Sequence, residues 1–133
     1  MSDLVDNLKK LKKAGETLED SAHQLYAVEK AHHKITQRLH LINKELHNAE
    51  VKKHHGESRL HSARDEAAKA KISSGLGKIS QYIAELHTKK ADAESEKSSL
   101  TARIDHAHAV AEIAIHEARA ALLKATGELK FRR

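Results

Sequence analysis

Cysteine, proline and tryptophan are absent from this 133-residue chain, and the aromatic content amounts to one Phe and two Tyr. Without cysteine there is no disulfide framework, no thiol nucleophile and no thiolate metal site, which points to a reducing compartment. Without proline, no residue lacks the backbone N–H that continues a helix. An aromatic share of 2% argues against an ordinary compact globular core and favours an elongated helical protein. Long apolar runs are missing too: nothing approaches the roughly 18 apolar residues of a membrane span. The opening MSDLVDNLKK shows no basic segment followed by an apolar stretch. These features predict a cytoplasmic or virion-internal protein without a membrane span.

Chemical signatures are equally scarce. No glycine-rich phosphate loop follows a strand pattern, His-Glu-x-x-His does not occur, and no linear arrangement offers a nucleophile with its base. The expectation is a protein that is not an enzyme.

What is present is charge and period. Charged residues make up 32% of the chain and the formal net charge is +5. The basic residues are spread among nearly as many acids, as on a solvated helical surface. Lys9, Lys10, Lys12 and Lys13 form one dense basic cluster and Arg132 and Arg133 another, but neither is interleaved with aromatics for base stacking. A basic nucleic-acid-associated rod is therefore the third functional reading, and nucleic acid is not the expected partner.

Leu4, Leu11, Leu18, Leu25, Leu39, Leu46 and Leu60 share one heptad position, and Val28, Ile35, Ile42, Ala49, Ala63 and Ala70 share the companion position. In the second half Leu76, Ile83, Ile104, Ala111 and Ala118 alternate with Ile79, Leu86, Ala93, Leu100, Ala107 and Ala114. Ser73-Ser74-Gly75-Leu76-Gly77 lies between these segments. An antiparallel hairpin must set core residues at matching heights, so paired residue numbers should share a constant sum. At a sum of 146, Leu60 meets Leu86, Ala63 meets Ile83 and Ala67 meets Ile79. The pattern predicts one all-α domain over 1–133, a long antiparallel αα-hairpin coiled coil with helix 1 over about 3–71, a turn over about 72–76 and helix 2 over about 77–126. Gly127 reads as the stop of helix 2, roughly the first 17 residues overhang, and Gly15 and Gly56 are places where helix 1 could kink.

Apolar residues outside the seam widen the stripe. Val110, Ile113, Ile115, Leu122 and Leu123 on the second helix, with Leu8 and Leu41 on the first, need another helix pair to bury them. Two hairpins associating into a four-helix bundle would do so. The expected partners are a second copy, as a dimer of hairpins, or another helical protein. The expected contact patches are Leu76 at the turn and Ile113, Leu122 and Leu123 at the opposite end.

Histidine supplies the remaining signal. His33, His40, His47, His54 and His61 recur once per heptad, each directly after a seam residue. Read blandly, they are solvated surface, because Glu29, Glu50, Glu57 and Glu112 precede His33, His54, His61 and His116 by four residues, as Glu19 does His23. Read sharply, the five form a pH-responsive stripe, or His40 joins His108, Glu112 and His116 in a site for Zn or another transition metal. No resident cofactor is otherwise expected. The leading expectation is a non-enzymatic coiled-coil scaffold or adaptor presenting helical faces to partner helices, with a histidine-rich metal-binding or pH-responsive bundle as the alternative.

Overall fold

The computed structural model describes the backbone of residues 2–131 and the side chains of residues 3–127. Arg132, Arg133 and the Leu129 side chain lie outside the described residues. The chain forms two helices, α1 (Ser2–Ser62) and α2 (Glu66–Phe131), packed together as an all-α hairpin. Continuous helices of this length follow from the missing proline and from an abundance of Ala, Leu, Lys and Glu, all good helix formers. Gly15 and Gly56 are passed without interruption, and α2 runs through Gly127, which is therefore not its stop.

The turn is not where the glycines suggest. It consists of residues 63–65, and the expected turn over about 72–76 is part of α2. Gly75 and Gly77 carry no positive φ, so neither supplies the left-handed geometry for which a turn would select glycine. Asp65 does the capping. Its Oδ1 accepts a hydrogen bond from the Ala67 N–H at 3.3 Å, and its carbonyl accepts from the Lys69 N–H at 3.0 Å. Such an N-cap is worth about 1 kcal/mol. At the end of α1 the Ala63 N–H donates to the Leu60 carbonyl at 3.2 Å, tightening the last turn. Arg59 and His61 in that turn, and Glu66 at the start of α2, oppose the local ends of the helix dipoles.

Moving the turn resets the pairing. Tyr82 bonds to Glu45, and Leu76 packs where a Gly56 Cβ would be. These pairs add to 127 and 132, so the register lies near a sum of 132, two heptads away from the expected one. Leu86 is accordingly level with the region of Leu46 and not with Leu60. The constant-sum criterion cannot tell these registers apart, because a change of the sum by seven again sets seam residue against seam residue. The anticipated overhang also disappears, since Asn7, Ala14 and Thr17 share a groove with Glu117, Ala121 and Lys124.

Packing divides the hairpin into two compact units, Met1–His32 with Ser99–Arg133 (unit 1) and His33–Ser98 (unit 2). In unit 2 the buried residues are Ile35, Leu39, Ile42, Leu46 and Ala49 on α1 and Leu86 and Ala93 on α2. In unit 1 they are Leu100, Ala107, Ala114 and Ala125 on α2, with Ser21 on α1. The Ser21 hydroxyl satisfies itself by donating to the Thr17 carbonyl at 2.9 Å. The faces that pack are those the apolar period marked.

Candidate interaction surfaces

The five stripe histidines are all exposed. Each follows a seam residue by one position, a rotation of about 100° that carries it out of the interface. The four-residue Glu pairs do not form as a set. His23 Nε2 lies 3.7 Å from Glu19, whereas Glu29 pairs across the hairpin with His108, also at 3.7 Å. No ion pair joins Glu50 to His54, Glu57 to His61 or Glu112 to His116 among the described residues.

That cross-helix pair also removes the basis for the expected metal site. Setting His40 level with His108 requires the pairing sum near 146, a register the hairpin does not adopt. Among the described residues no three His, Cys, Asp or Glu side chains are grouped so as to hold a metal ion, so His40, His108, Glu112 and His116 do not form a ligand set.

The anticipated apolar contact residues separate. Ile113, Leu122 and Leu123 are exposed, at 58%, 53% and 72%. Nine residues of helix, a rotation of about 180°, lie between Ile113 and Leu122, so these two point to opposite flanks of α2. The coherent patch is different. The Glu29–His108 pair marks one side of unit 1, and Ile115 and Leu122 follow His108 at heptad intervals on that side. Leu8 precedes Glu29 by three heptads, with Gly15 and Ala22 between at the same spacing. Leu8, Ile115 and Leu122 are all exposed. On the other side of unit 1, Lys10, Lys13 and Lys124 line a groove of about 300 Å³ together with Glu117.

Leu76 is half-buried inside α2, packed against Gly56, and is not the tip of a turn. It forms part of a groove in unit 2 of about 550 Å³, whose floor is Ile72, Leu76 and Ile79. Lys52, His55, Arg59 and Lys71 rim it, with no carboxylate in the lining. A second hollow of about 440 Å³ shares Lys52 and Ile79 with it and extends to Glu45, Lys78 and Tyr82. There the Tyr82 hydroxyl donates to Glu45 Oε2 at 3.1 Å. This hydrogen bond, with smaller contributions from desolvation and the carboxylate charges, raises the Tyr82 pKa above the ordinary phenol value. Sequence reasoning passed over the groove, although the one-heptad intervals between Lys52 and Arg59 and between Lys71 and Lys78 were legible.

No helix among the described residues is long and apolar enough to cross a membrane. No protein-family model, no curated protein and no solved structure matches this chain.

Proposed function

We propose that this hairpin is a non-enzymatic scaffold or adaptor that works by presenting helical faces to partner helices, and that a second copy is one of those partners. The observation that carries this reading is the uncovered apolar side of unit 1. Leu8, Ile115 and Leu122 are 45%, 40% and 53% exposed at heptad spacing on one side of the helix pair. Each such side chain contributes about 1.5–3 kcal/mol when fully buried. Isologous pairing of this side with itself would bury two sets of these residues and complete a four-helix bundle. The histidine stripe, in this reading, is the solvated outer surface.

The test is mass by light scattering for the wild type and for an Ile115→Glu, Leu122→Glu variant, with helicity followed by circular dichroism. The expected result is a dimer that the two substitutions dissociate while helicity remains. A monomeric wild type, or a mass unaffected by the double substitution, would remove this side as the self-association surface.

A further inference from the structure

We infer that the groove of unit 2 is a docking site for a third helix, and that this helix is acidic and amphipathic and belongs to a different protein. The inference shares with the proposed function the premise that the chain presents helix faces. It does not depend on whether unit 1 self-associates.

Shape comes first. The two contiguous hollows follow α1 from Glu45 to Arg59, about 21 Å at 1.5 Å per residue, the length of roughly four helical turns. The floor is apolar because α1 offers only Lys53 and Gly56 along the seam where α2 offers Ile79 and Leu76, with Leu60 the one large apolar α1 residue level with Ile72. Too little bulk from α1 opposite Leu76 and Ile79 leaves these two, like Ile72 beside them, only half-buried. Ile72 and Ile79 stand one heptad apart with Leu76 between them, which is the apolar strip that a helix with its own apolar stripe covers. Nothing lies within 4 Å of the position a Gly75 Cβ would occupy, so a partner backbone can approach closely there.

Charge then selects the occupant. Lys52 and Arg59 flank the floor from α1 at a one-heptad interval, and Lys71 and Lys78 flank it from α2 at the same interval. None of these four is engaged in an ion pair among the described residues. Over the Lys52–Arg59 and Lys71–Lys78 stretch, cations one heptad apart on both margins match a helix with acids on both margins of its own strip, while Glu45, one heptad before Lys52, accepts the Tyr82 hydroxyl at the far end. Tyr82, held by Glu45 at one end, adds an oriented aromatic of the kind that anchors interfaces. A second copy fits poorly: of its two densest acidic runs, Glu16 to Asp20 has Leu18 half-buried and Asp92 to Glu96 has Ala93 buried in the chain's own seam.

The experiment uses the full chain and a fluorescein-labelled peptide of about 21 residues, three heptads, with Ile and Leu at the seam positions and Glu at the flanking ones. A matched peptide with Lys at the flanking positions is the control. Fluorescence anisotropy should show saturable binding of the Glu peptide only, weakening as salt is raised. Arg59→Glu with Lys71→Glu should weaken binding about tenfold or more, and Arg59→Gln should weaken it less. Circular dichroism melts check that these exposed positions leave the fold intact. The Ile115→Glu, Leu122→Glu variant should bind the Glu peptide as the wild type does, which separates this site from the unit 1 surface. Equal binding of both peptides, no binding of the Glu peptide, or indifference to the charge reversal would overturn the inference. So would a loss of self-association on charge reversal, since the groove would then belong to a second copy.

Discussion

The two units are cut from the same pair of helices, yet they bury their apolar residues to different extents. In unit 2, α1 places Ile35, Leu39, Ile42 and Leu46 in the interface and α2 answers with Leu86, which is 1% exposed. In unit 1 the buried positions of α2 are Ala107, Ala114 and Ala125 with Leu100, while Leu8, Ile113, Ile115, Leu122 and Leu123 remain exposed. Small side chains let two helices approach closely but provide little area. The leucines and isoleucines beside them are left on the flanks. A regular apolar period therefore guarantees a packed seam and says little about whether that seam uses up the apolar surface. Unit 2 closes on itself along most of its buried face, and unit 1 leaves more of its large apolar side chains exposed.

Truncation should break this contrast most sharply. Leu86→Ala in unit 2 removes a fully buried side chain and should cost about 2–4 kcal/mol in urea unfolding. Leu122→Ala in unit 1, measured on dilute protein, should cost less than about 0.5 kcal/mol, as an exposed position does. Comparable losses at the two sites would erase the distinction.

A smaller effect is expected from the glycines of α2. Gly75 and Gly77 are helical, and nothing lies within 4 Å of a Cβ added to either. Replacing each by alanine should stabilise the hairpin by about 0.5–1 kcal/mol in thermal or urea melts. Destabilisation would mean that the chain needs those glycines for a turn. Gly15 in unit 1 is equally open and should behave alike.

The smallest effect should come from the histidine stripe. Neighbours seven residues apart are about 10.5 Å apart along the helix, and two exposed protonated rings repel by roughly 0.4 kcal/mol before screening. Lowering the pH from 8 to 5.5 should leave the melting temperature nearly level. A pH-driven dissociation abolished by changing His40, His47 and His54 to Gln would instead make the stripe an assembly seam sensitive to protonation.

The all-helical hairpin and its packed faces were legible because heptad spacing selects one side of each helix whatever the partner. The turn was not, because the same spacing makes pairings separated by whole heptads equivalent. Ser73 to Gly77 offered a strong local turn signal, and it outweighed the quieter Asp65-Glu66 start of α2. Locating the turn ten residues late then misplaced everything read across the hairpin: the level of His40 with His108, the tip position of Leu76 and the overhang of α1. Exposure of Ile113, Leu122 and Leu123 was foreseen residue by residue. The split of Ile113 and Leu122 between opposite flanks follows from helix rotation alone. The unit 2 groove depends on Gly56 meeting Leu76, a cross-helix fact available only once the register is known.

Both surfaces rest on that register, so intrachain crosslinking tests the account most directly. The natural chain has no cysteine, and Glu45, Arg59 and Tyr82 are all exposed, so paired cysteines there should leave the fold intact. With a flexible thiol crosslinker of about 10 Å on dilute protein, Glu45→Cys with Tyr82→Cys should link within one chain. Arg59→Cys with Tyr82→Cys should not, because two heptads displace Arg59 by about 21 Å along the helix. Efficient linking of Arg59→Cys to Tyr82→Cys and none of Glu45→Cys would place the turn near Ser73 and contradict the hairpin described here.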